Sequence, residues 1–173
     1  MMSRYDYLIG IDPDCEQSGV AVLNVKERHI EYGNYSFADL MEMLQKMIRE
    51  MVPGTYSVVV EAGYMHTANW HIPPRTRPSI AAAIGNKVGR NHETGRKIVE
   101  MCRHWNIPVE EALPLKKCWH GKDGKITHEE LQDMLHLSGF NPLPSRTNQD
   151  LRDSVLITIV HSGIPLRYMP RRK

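Results

Sequence analysis

The sequence predicts a β-first α/β domain, and three patterns carry that expectation. The apolar run Tyr7-Leu8-Ile9-Gly10-Ile11 ends at Asp12, and a second apolar run, Gly19 to Val25, follows across the polar loop Pro13 to Ser18. Two such runs around a short polar loop read as a hairpin. The segment Tyr56-Ser57-Val58-Val59-Val60 is nearly continuous in apolar character, as expected of a strand buried on both faces. Between them Leu40, Met43, Leu44, Met47, Ile48 and Met51 recur at helical period.

The elements follow in order. Tyr7 to Asp12 and Gly19 to Val25 are the hairpin strands, and His29 to Phe37 is a third antiparallel strand. Ser36 reads as an N-cap with Asp39 at the third helical position, and Pro53-Gly54 stops the helix that follows. Tyr56 to Glu61 is the fourth strand. A loop rich in proline and aromatics runs from Ala62 to Ser79. Ile80 to Asn106 reads as one long helix or two, with Gly85, Gly89 and Gly95 as candidate breaks. Pro108 to Leu113 is a fifth strand, Thr127 to Ser138 a helix and Gln149 to His161 the closing helix. No internal repeat and no linker divides the chain, so one domain over residues 1–173 is expected, with a core at about 7–161 and a basic tail at 165–173.

A chain of 173 residues is long enough for a proper hydrophobic core. No stretch approaches the roughly 18 apolar residues of a membrane span, and the N-terminal residues lack a signal-peptide pattern. Three cysteines without framework spacing point to a reducing, cytoplasmic compartment. Formal net charge is only +2, but its distribution is uneven. Residues 75 to 125 hold 11 basic against 5 acidic side chains, an excess of six. A basic region beside an acidic centre suits a polyanionic substrate; a solvated basic face is the competing reading.

The acidic centre is the most informative feature. Asp12 and Glu61 each close a buried strand, and Asp150 and Asp153 stand one helical turn apart before the apolar stretch Val155 to Val160. A carboxylate at the end of a buried strand is costly to keep charged unless a cation compensates it. Taken singly, Asp12 before Pro13 is a turn-former and Asp150 a favourable charge in a helix's first turn. Together the four point to bound divalent metal, and oxygen-only ligands favour Mg²⁺, with Mn²⁺ able to substitute. Phosphodiester hydrolysis needs an activated water, neutralisation of the pentacovalent dianion and relief of charge on the leaving oxygen, which two such ions supply. Asp12 is the expected bridge between two ions, Glu61 the ligand of one, and Asp150 and Asp153 the contribution of one helix face.

The order of elements is that of the ribonuclease H-like fold, and the motifs resemble the RuvC-type Holliday junction resolvases. Gly10-Ile11-Asp12-Pro13 with the later Gly19 resembles that family's opening strand, Val60-Glu61 its second acidic strand end, and Asp150-Leu151-Arg152-Asp153 its entry to the last helix. The resemblance implies a mixed five-stranded sheet flanked by helices on both faces. It also implies a magnesium-dependent endonuclease that resolves four-way DNA junctions by paired nicks. Two nicks need two active sites, hence a homodimer. Three departures stand out, one of them the loop Ala62 to Ser79, longer and more proline-rich than in the family's bacterial housekeeping members. The family's glycine after Asp-Pro is Asp14, and its Gly-x-x-x-Gly stretch is present only as Asn91-His92-Glu93-Thr94-Gly95, without the first glycine. A nuclease for other branched DNA or structured RNA, and a non-catalytic DNA-binding module of the same fold, remain as rivals.

The resemblance also places a lysine near the scissile phosphate after the fifth strand, where Lys116 and Lys117 stand. Either would stabilise transition-state charge; ordinary phosphate contact is the alternative. Tyr64, three residues after Glu61, matches an aromatic that inserts at the junction centre, and Trp70 is a second candidate. Stacking on a base contributes about 1–3 kcal/mol, and packing on the loop's own prolines is the alternative. Arg75, Arg77, Lys87, Arg90, Arg96, Lys122 and Lys125 are candidate DNA contacts. Asp123-Gly124-Lys125-Ile126 with Glu130 imitates half a calcium loop, but Trp119 and Gly121 occupy ligand positions, and Thr127 with Glu130 reads as a capping box. Cys102-Arg103-His104 and Cys118-Trp119-His120 have the wrong spacing for zinc.

Overall fold

The computed structural model describes residues 4–66 and 75–168. Strands β1 (Tyr7–Asp12), β2 (Ser18–Asn24) and β3 (His29–Tyr35) are successive antiparallel neighbours. Strands β4 (Tyr56–Glu61) and β5 (Val109–Ala112) join in parallel on the other side of β1, so the order is β3-β2-β1-β4-β5. The helices are α1 (Phe37–Glu50), α2 (Pro78–His104), α3 (His128–Ser138) and α4 (Gln149–His161). This is the mixed five-stranded sheet with helices on both faces that the element order predicts.

Strand periodicity sorts the side chains into two layers. Ile9, Ile11, Val58 and Val60 pack with Leu40 and Leu44 of α1 and Ile98, Val99 and Cys102 of α2. On the other face Leu8 and Val59 meet Ile157, while Ala21, Leu23 and Ile30 pack with α3 and α4. Helix α4 lies between the sheet and α3. Leu151 and every residue from Ser154 to Ile159 are buried, which explains an apolar run with little helical periodicity.

Boundaries follow local chemistry. The third strand ends at Tyr35 and not Phe37, because Ser36 is taken as the N-cap of α1, its hydroxyl accepting from the Asp39 N–H. Helix α2 starts with Pro78 and runs unbroken through Gly85, Gly89 and Gly95. The first two face open space, and the third is buried against Pro13 and Tyr64. The fifth strand is shorter than expected, yet Pro108 still anchors it by accepting from the Val58 N–H. Thr127 and Glu130 form the expected capping box of α3, and Asn148 caps α4 by accepting from the Leu151 N–H.

Two glycines set how closely α4 approaches the sheet. A Cβ on Gly10 would stand 2.0 Å from Thr158 Oγ1 and 2.8 Å from the Ser154 carbonyl oxygen. A Cβ on Gly19 would stand 2.1 Å from the Asp150 carbonyl oxygen. No rotamer change clears a backbone oxygen. Gly10→Ala is therefore expected to destabilise the protein by about 3 kcal/mol through overpacking, read as a lowered urea midpoint. An unchanged midpoint would show that α4 does not rest against β1 at that point.

Candidate active site

The sheet delivers Asp12 and Glu61 to one place. They end adjacent parallel strands whose register pairs Ile11 with Val60. Both point to the face opposite Ile11 and Val60, the face that α4 covers. Asn148 starts α4 just there, so Asp150 falls in its first turn and Asp153 one turn later, while Gly19 lets the Asp150 backbone rest on β2.

The four carboxylates feel one another. The carboxyl of Asp12 is held well above its ordinary range, first by burial, then by the like charges of Glu61, Asp153 and Asp150, with Lys125 opposing. Glu61 is pushed up to about 7 by burial and by Asp153, against the pull of Lys125 and Lys117. Asp150 is raised by burial and by Asp14, with Lys125 and Lys87 opposing. Asp153 is held on both oxygens: Oδ1 accepts from Gln149 Nε2 at 2.7 Å, and Oδ2 meets Lys125 Nζ at 3.2 Å. Among the described residues no three His, Cys, Asp or Glu side chains are gathered into a ligand shell. The cluster is thus electrostatically coupled without being drawn together. Hard oxygen donors whose ionisation is opposed by burial and by one another are chemistry that a divalent cation of the Mg²⁺ or Mn²⁺ type would compensate.

The remaining predicted residues divide. Lys117 is exposed beyond β5, and its charge acts on Glu61; Lys116 is exposed beside it. Lys87, from the first half of α2, reaches Asp14 at 3.8 Å. Lys125, expected as a DNA contact, stands beside the carboxylates, its Nζ 3.2 Å from Asp153 Oδ2. Burial works against its charge, but Asp153, Asp12 and Asp150 push its pKa up. Arg75, Arg77, Arg90 and Lys122 are exposed. Arg96 pairs with Glu93 at 3.8 Å, Lys97 with Glu100 at 2.7 Å and Arg103 with Glu111, so three of the basic side chains have acidic partners within the region. Trp70 lies outside the described residues.

One face of the Tyr64 ring and its hydroxyl are already engaged. Its hydroxyl donates to Glu111 Oε2 at 2.5 Å, and the Arg96 guanidinium lies over its ring at 4.7 Å. His92 meets it edge-on, with 6.3 Å between ring centroids. Arg96 is exposed and would have to swing away before that face could take a base. Glu130 accepts from the backbone of Thr127 and His120, and burial pushes the Cys102 thiol up to about 12.

Sequence reading missed the partnership of Asp14 and Asn91. Asn91 Nδ2 donates to Asp14 Oδ2 at 2.9 Å, and Asn91 Oδ1 accepts from the Cys15 N–H at 3.0 Å. Asp14 Oδ1 accepts from the Glu16 N–H at 2.8 Å. Burial would raise the Asp14 carboxyl, but the bonds from Glu16 and Asn91 and the charge of Lys87 hold it below its ordinary value. Asp14 and Asn91, two of the three departures from the RuvC-type pattern, thus form one clasp between the β1–β2 loop and α2. Their simultaneous occurrence was the available signal.

No protein-family model matches the sequence, and no curated protein matches it. Among solved structures, the chain is similar to Thermus thermophilus RuvC in complex with a Holliday junction substrate. Identity is 18%, coverage 91% of this chain and 93% of that one, and the TM-score 0.50. A further Thermus thermophilus RuvC structure is similar at 19% identity, 90% and 92% coverage and a TM-score of 0.48. At 18% identity the likeness to the first of these establishes the fold alone.

Proposed function

We propose that this chain, whose fold is RuvC-like and ribonuclease H-like, is a divalent-metal-dependent endonuclease that resolves four-way DNA junctions. The observation that carries the reading is the placement of Asp12, Glu61, Asp150 and Asp153, from three separate elements, at one end of the sheet, near enough that burial and their like charges oppose ionisation. A purely structural cluster of this kind costs stability for no return. These four side chains would hold Mg²⁺ or Mn²⁺. When bound, the metal neutralises phosphate charge and makes water a competent nucleophile at neutral pH.

The rest of the work falls to the chain. Lys117 Nζ, on the Glu61 side, is the donor for a non-bridging phosphate oxygen, and Lys87 with the exposed Arg75, Arg77 and Arg90 tracks the flanking backbone. The Asp14–Asn91 clasp keeps the β1–β2 loop, and so the end of β1, in a fixed position against α2. Paired nicks need a second copy. Among the described residues nothing buries the first half of α2, which exposes Ile80, a surface that would suit one. One observation favours a second reading: the occupied ring of Tyr64 supports a nuclease of other branched DNA, one that does not depend on an aromatic wedge.

The deciding experiment compares labelled four-way junction, flap, duplex and RNA–DNA hybrid, with Mg²⁺ and with chelator. A resolvase cuts the junction symmetrically and only with metal. It also keeps its preference for junction over duplex as salt rises, because charge-driven binding weakens with salt and shape complementarity does not. Equal affinity for junction and duplex at low and high salt, from a protein that sediments as a monomer, would defeat the junction assignment. Cleavage in chelator would defeat the metal.

A further inference from the structure

Lys125 sits among the carboxylates because its loop is built to put it there. Asp123 (φ 57) and Gly124 (φ 74) both take left-handed backbone. They turn the chain back so that the Trp119 N–H donates to the Gly124 carbonyl at 3.0 Å and the Gly121 N–H to the Lys125 carbonyl at 2.9 Å. Glu130 clamps the loop from the start of α3, accepting from the backbone N–H groups of His120 and Thr127. Ile126, next to Lys125, is buried in the core, and its carbonyl accepts from Arg152 Nε at 3.1 Å. Arg152 also donates to the Thr147 carbonyl at 2.7 Å and to Gln149 Oε1 at 2.8 Å. The residue before Asp153 and the residue after Lys125 are therefore tied to each other. The ion pair at 3.2 Å between Lys125 Nζ and Asp153 Oδ2 is set by two braced backbones and not by chance surface rotamers.

We propose that Lys125 is a tethered counter-cation of the carboxylate cluster, holding Asp153 while the metal is away and releasing it when a divalent ion enters. The inference rests on reading the cluster as a metal site. One ammonium offsets part of the repulsion among four carboxylates, so the end of the sheet stays assembled without metal. It also competes with the incoming ion for Asp153 and adds a positive charge that the ion must approach. The backbone of the loop is braced, so release means rotation of the Lys125 side chain alone. The freed ammonium then faces the phosphate of a bound strand.

The test uses DNA-free protein and two readouts, Mn²⁺ affinity by calorimetry and the melting temperature in chelator. Lys125→Gln removes the charge, Lys125→Met does so while keeping the alkyl stem, and Lys125→Arg keeps the charge. The two neutral variants should bind Mn²⁺ about tenfold more tightly than wild type, the size of change expected from removing one nearby like charge. They should also melt at lower temperature in chelator and regain stability on adding Mn²⁺. Lys125→Arg should match wild type in both. Wild-type binding of Mn²⁺ with no gain in either neutral variant overturns the counter-cation role and leaves the metal site standing. Absence of Mn²⁺ binding by wild type and variants alike overturns both readings together.

Discussion

Replacing Asp12 by asparagine should lower the rate of phosphodiester cleavage by on the order of 10³-fold and, in the same protein, raise stability in the absence of metal. The two effects have one cause. The charge of Asp12 is opposed by its surroundings, through burial and then through Glu61, Asp153 and Asp150. Taking that charge away relieves repulsion in the metal-free fold and removes the central ligand from the loaded site. Glu61→Gln, Asp150→Asn and Asp153→Asn should fall in the same class for cleavage. Binding to a four-way junction should persist in all four, since affinity for nucleic acid comes mainly from cations on phosphate. The measurements are single-turnover cleavage with Mg²⁺, junction binding with Ca²⁺ in place of Mg²⁺, and urea unfolding in chelator. Wild-type cleavage by both the Asp150 and Asp153 variants would remove α4 from the site. Loss of the fold in all four would make the cluster structural.

Metal-free stability should fall as pH rises from about 4.5 to about 7, against the usual behaviour of paired carboxylates. Glu61 titrates at about 7 in the fold and near its ordinary 4.5 when unfolded. Between those values the folded protein holds the proton more tightly, so ionisation favours unfolding and stability declines with rising pH. A shift from 4.5 to about 7 corresponds to a loss on the order of 3 kcal/mol. Asp12 and Asp150 shift in the same direction and add to the slope. Asp14 and Glu130 are depressed, so their contribution is lost only as pH falls below the ordinary carboxylate range and leaves this window clear. Mg²⁺ should flatten the slope, because a bound cation favours the ionised cluster. Unfolding midpoints in chelator between pH 5 and pH 8 read the effect. A stability that rises across that interval would mean that the carboxylates are compensated in some other way.

Local chemistry in the sequence determined a good part of this molecule. Apolar runs of the right length, the Ser36 cap, the Thr127–Glu130 capping box and the buried character of Tyr56 to Val60 are all properties of neighbouring residues. They determined the order of strands and helices and placed Asp12 and Glu61 at strand ends, from which their meeting on one face follows by alternation and register. Tertiary structure decided the rest, where residues far apart in the chain compete for the same space or charge. The depth of α4 depends on missing Cβ atoms at Gly10 and Gly19, more than a hundred positions before the helix. Asp14 and Asn91 look like two independent departures until an approach of 2.9 Å makes them one clasp. Tyr64 reads as a base-stacking aromatic or as one packed on the loop's own prolines, and only the fold brings Arg96 over its ring and Glu111 to its hydroxyl. Lys125 is one basic residue among 11 in its region of the sequence. Only the fold of its loop turns its ammonium inward, because charge acts through distance in space and the sequence records only distance along the chain.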